Sequence, residues 1–148
     1  MLGNQARRFI ALSLLAALQH DQVRFSEMVN VVMKASFNQD DLVPPLSVIC
    51  RSLMSERIDN IPNDADFRAA AKYVHSKTSS WIAVEADFYE AWLRAVYGDE
   101  ELRLAVPWNI AVINSLLTIA ALLEDCDEPF HRLDETLHVL STLKIKKA

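Results

Sequence analysis

WNIAVINSLLTIAALLE, residues 108–124, carries no charge before Glu124, and between Ile110 and Leu123 its only polar side chains are Asn114, Ser115 and Thr118. A helix apolar on nearly all sides has no face to turn to water, so this one is expected inside a bundle, wrapped by other helices. Pro107 stands just before it, with the fixed φ and missing donor that suit a helix start. A second run of the same kind lies near the N-terminus, about residues 5–19, where Ser13 is the sole polar residue between Phe9 and Leu18. These two are predicted to form the core, with Ile10, Leu14, Ile113, Leu117 and Ala120 among the most buried positions.

Around them the chain reads as an all-α, irregular single-domain bundle of about seven helices over residues 1–148. One helix is expected from about Phe25 to Ser36, with Phe25, Met28, Val29, Val32 and Met33 on one face at helical spacing. Another is expected to start at Pro44-Pro45 and run to about Arg57, burying Leu46, Ile49, Cys50, Leu53 and Met54. The turn Asp59-Asn60-Ile61-Pro62-Asn63 leads to a helix capped by Asn63 or Asp64 that reaches about Ser76. Ser79 or Ser80 is expected to cap the next, from Trp81 to Tyr97, and Gly98 to end it in a left-handed conformation. Acids at Asp99-Glu100-Glu101 suit the start of a short helix through about Ala105. Asp127-Glu128-Pro129 opens the last helix, predicted to reach about Ile145.

Composition narrows the function. With 148 residues, 51% of them apolar, 24% charged and only two glycines, Gly3 and Gly98, the chain is long enough for a core and poor in residues for hairpins or phosphate-cradling loops. A formal net charge of −5 opposes polyanions, and the one basic run, Lys144-Ile145-Lys146-Lys147, suits a helix C-terminus. Two cysteines, Cys50 and Cys126, are too few for a disulfide scaffold and point to a reducing, cytoplasmic setting. The Arg7-Arg8 pair before an apolar stretch resembles a signal peptide but lacks a small-x-small cleavage site, and the stretch is too short to span a bilayer, so neither secretion nor membrane binding is expected. There is no G-x-S-x-G, G-x-G-x-x-G, Walker loop or paired C-x-x-C, and no catalytic residue or cofactor is assigned.

Four groupings of polar or aromatic side chains are candidates for function. His131, Glu135 and His138 share a flank of the last helix but fit no metal motif; they read as a solvated face, and no metal is assigned. Arg68, Lys72 and His75 form a basic stripe that would hold a phosphate or carboxylate. On a helix from Trp81, the side chains of Trp81, Ile82, Phe88, Tyr89, Trp92, Leu93 and Val96 make one apolar arc, and Glu85 projects from its middle. A carboxylate there needs a cationic partner such as Arg68, Lys72 or His75, or else has a raised pKa. Ala111, Asn114, Thr118 and Ala121 make a small, polar stripe suited to close helix contact within the chain or across a homodimer.

Tryptophan and tyrosine dominate protein interfaces, so the leading expectation is a protein–protein interaction module, an accessory subunit, inhibitor or chaperone-like adaptor, that binds through Trp81, Glu85, Tyr89 and Trp92. The alternative is a small helical enzyme or ligand-binding protein that uses Glu85 with Arg68, Lys72 or His75. The Val106-Pro107-Trp108 lead into the late apolar helix is similar in pattern to small helical RNA-associated transcription factors of bacteria and some viruses, over the last quarter of the chain. Their basic RNA-contacting residues have no counterpart here, so no residue role carries over and a nucleic-acid-associated role ranks third.

Overall fold

Both apolar runs are helices, and the later one is the axis about which the others pack. A computed structural model describes residues 4–34, 39–58, 62–98 and 107–142. Its helices are α1 (Asn4–Leu18), α2 (Gln22–Lys34), α3 (Gln39–Ser55), α4 (Asp64–Thr78), α5 (Ala86–Val96), α6 (Trp108–Glu124) and α7 (Pro129–Thr142), with no strand among the described residues. The chain is therefore all-α. Helix α6 packs against α1, α3, α4, α5 and α7, and the buried side chains of these elements join in one continuous cluster. None of the described helices is long and apolar enough to cross a membrane.

Local chemistry sets most helix ends. Asn63 caps α4 in a reciprocal box: its side chain accepts from the Asp66 N–H while the Asp66 carboxylate accepts from the Asn63 N–H, an arrangement whose cap residue alone is typically worth about 1 kcal/mol. Asp21 caps α2 by a single bond, its side chain accepting from the Arg24 N–H at 3.1 Å. Gly98 follows α5 with φ of 102°, the left-handed conformation expected of it. Arg94 ties the end of α5 to the start of α4, bonding Asp64 at 2.7 Å and Glu90 at 3.1 Å, and its guanidinium lies over the Phe67 ring. At the opposite end of the same pair the Thr78 and Tyr89 hydroxyls are 2.8 Å apart. The two helices therefore run antiparallel.

Three expectations need correction, and for a fourth, the small, polar stripe of α6, the structure decides between the two alternatives. Helix α3 begins at Gln39, and Pro44 and Pro45 lie inside it. The carbonyls of residues 40 and 41 lose their ladder donors as a result, but the added turn buries Leu42 completely, and a fully buried leucine contributes about 1.5–3 kcal/mol. Helix α5 begins at Ala86, and Trp81–Glu85 is a turn and connector. Ile113 is only partly buried, whereas Ile10, Leu14, Leu117 and Ala120 are core. The stripe Ala111, Asn114, Thr118, Ala121 is buried within the chain: Asn114 Nδ2 donates to the Phe88 carbonyl of α5 and the Tyr73 hydroxyl of α4 donates to the Ala121 carbonyl. It therefore offers no free face to a second copy. The short helix expected through Ala105, the Lys144–Lys147 run and the end of the last helix lie outside the described residues.

Candidate functional site

The aromatic arc is divided between core and surface. Tyr89 is fully buried, with its hydroxyl paired to Thr78 Oγ1, and burial pushes its pKa up to about 12 against the opposing Thr78 hydrogen bond. Trp92 is 3% exposed. Trp81 is half-buried: its indole stacks on the His20 ring, with centroids 5.5 Å apart and planes 10° apart, and meets the Phe25 ring edge-on. These contacts anchor Trp81 in the connector. Helical periodicity had placed it on α5 instead.

Glu85 is consequently not in the middle of an apolar arc. It is the exposed N-cap residue of α5, with extended backbone and no side-chain capping bond. Two residues later Asp87 is exposed in the first turn, where an acid complements the positive helix end. Phe88 stands beside them, 50% exposed. Its backbone is held on both sides: the N–H donates to the Glu85 carbonyl at 3.1 Å and the carbonyl accepts from Asn114. The N-terminal tip of α5 thus exposes an aromatic residue whose backbone is held, together with two carboxylates within three positions of it in sequence.

On α4, Arg68 and Lys72 are exposed and His75 is half-buried, and among the described residues no ion pair joins any of them to Glu85. Arg68 acts instead on Asp64, whose pKa is lowered chiefly by its hydrogen bond to Arg94. On α7, His131 and Glu135 form an exposed ion pair at 3.1 Å. No group of three or more His, Cys, Asp or Glu is placed to hold a metal among the described residues. A cleft of about 160 Å³ between α3 and α7 has Val48, Ile49 and Leu53 on one side and Arg132 and Glu135 on the other. Arg132 is occupied there, bonded to both Glu135 and Glu56.

Cys50 lies fully buried against α6, its sulfur 4.0 Å from the Ser115 carbonyl, and burial pushes its thiol up to about 12. A protonated, enclosed thiol does not react. Cys126 is half-buried, and its pKa is raised by burial against the opposing charge of Arg132. Alkylation of the native protein, followed by mass spectrometry, is therefore expected to label Cys126 slowly and to spare Cys50, with both labelled in denaturant. Early labelling of Cys50 would show that α3 opens from α6.

Sequence reading passed over His20. It has the one positive φ, 54°, among described non-glycine residues, and its Nε2 pairs with Glu124 at the end of α6. The available signal was the polar break Gln19-His20-Asp21 between two apolar runs; Glu124, far off in the chain, could not be matched to it. Comparison of the chain with protein-family models, with curated proteins and with solved structures gave no match.

Proposed function

We propose that the protein is an interaction module that docks a protein partner on the N-terminal tip of α5, as an accessory subunit, inhibitor or adaptor does. The observation that carries this reading is Phe88, half exposed on a backbone held by Glu85 and Asn114. A backbone already fixed in the free protein has little entropy left to lose when a partner covers the residue, the preorganisation that favours binding. Glu85 and Asp87, exposed beside it, favour a partner surface that is basic around an apolar pocket. Trp81 fixes the connector that leads into the tip through its contacts with His20 and Phe25, and Tyr89 and Trp92 hold α5 in the core. The free thiols of Cys50 and Cys126 suit a reducing, cytoplasmic setting.

Phe88→Ala tests the reading. Affinity purification with the unmodified chain, followed by mass spectrometry and titration of the recovered partner, is expected to show a loss of about 2 kcal/mol or more of binding for the variant. Its folding stability should change by no more than about 0.5 kcal/mol, as for other surface substitutions. Equal binding by both proteins would exclude the tip of α5 as the docking site.

A further inference from the structure

Helices α3 and α7 both pack on α6, and the cleft of about 160 Å³ lies between them. Val48, Ile49 and Leu53 share one face of α3 and give the cleft an apolar wall. Ile49 and Leu53 are almost wholly buried while Val48 is 48% exposed, so this wall runs from the core out to solvent. On the α7 side the donors are spent. Arg132 bonds both Glu135 and Glu56, and the Thr136 hydroxyl donates to the Arg132 carbonyl. An anion entering the cleft would find the guanidinium taken, whereas an apolar group meets a wall already formed.

Volume decides the size of the occupant. Pockets for cofactors and drug-sized ligands usually measure about 300–1,000 Å³, and this cleft is about half the lower figure. It is close to the roughly 150 Å³ of an apolar cavity that takes one benzene ring, the scale of a single aromatic or leucine side chain. Charge decides what surrounds that side chain. Arg57 bonds Asp125, Arg132 bonds the two glutamates, and Cys126 beside them feels the charges of Glu56, Asp125, Asp127 and Arg132. Four carboxylates thus gather around two guanidiniums, with the His131 imidazole as a further basic group against Glu135. The apolar slot therefore sits in a negative field, on a chain whose net charge is −5.

We infer that the α3–α7 cleft is a second docking site, which takes one large apolar side chain from a lysine- or arginine-rich segment of a protein partner. The side chain covers Val48, Ile49 and Leu53, and the cations on either side of it meet the carboxylates that Arg57 and Arg132 leave uncompensated. The site is separate from the tip of α5 and does not depend on it.

A blocked five-residue peptide, tryptophan between two pairs of lysines, is the probe, titrated into the full chain at about pH 7.5, where an ordinary histidine is mostly neutral. Methyl resonances of Val48, Ile49 and Leu53 are expected to shift saturably. Serine in place of the tryptophan should weaken binding about tenfold or more, the equivalent of one buried apolar side chain, and glutamates in place of the lysines should abolish it. Val48→Lys, at an exposed position, and Glu135→Lys should each weaken binding about tenfold, while Phe88→Ala should bind like the parent. Unmoved methyls in the parent chain, equal binding of the glutamate peptide, or indole alone binding as tightly as the peptide would overturn the proposal. Shifts centred on Phe88 instead would overturn this site and leave the tip of α5 standing. The parent titration decides even if a variant fails to fold.

Discussion

Trp92→Ala is expected to destabilise the fold by about 3–5 kcal/mol, the range for truncating a buried tryptophan. Trp92 is almost wholly buried within α5, beside α3, where its indole N–H is near enough to the Cys50 sulfur to oppose slightly the rise in that thiol's pKa. The same Nε1 makes no hydrogen bond of normal geometry to a described atom, so the indole is held by packing. Trp92→Phe, which removes an unpaired donor and keeps most of the ring volume, should therefore retain more than half of the lost stability. Urea unfolding of the two variants beside Phe88→Ala checks the division of the arc. A large loss for Trp92→Ala with almost none for Phe88→Ala is the expected pattern. A Trp92→Ala protein close to the parent in stability would mean that α5 is not docked as described.

Leu117→Ala is expected to cost about 2–5 kcal/mol. Leu117 is fully buried in the middle of α6, the helix against which α1, α3, α4, α5 and α7 all pack. The surrounding side chains belong to separate elements, each fixed by its own contacts, so collapse around the missing atoms is limited and a cavity term adds to the lost transfer energy. Thermal and denaturant unfolding measure the effect. A loss below about 1 kcal/mol, near the range of surface positions, would place α6 at the periphery.

These two positions also show what could be read from the chain alone. Leu117 was legible because a helix without a polar face has only one place to go. The α4 start was legible because Asn63 and Asp66 satisfy each other's backbone donors locally, and the α5 end because Gly98 alone there takes a positive φ without cost. In each case the deciding interaction spans a few residues or follows from composition.

The tip of α5 was misread for the opposite reason. Trp81, Ile82 and Glu85 fit the helical period as well as Phe88 and Tyr89 do, but Trp81 gains more from the His20 and Phe25 rings than from one more helical turn. Those rings come from α2 and the turn before it, far away along the chain. The Pro44-Pro45 start failed similarly, since the burial of Leu42 is a benefit that only the assembled core provides. Periodicity, capping and apolar composition act over short range, and they suffice to make the protein helical, to send the two apolar helices into the core and to place most of the helix ends. Only the tertiary structure decided which aromatics of one arc became core and which stayed exposed, and that His20 met Glu124. Those outcomes depend on surfaces brought together from distant parts of the chain, and no local spacing encodes them.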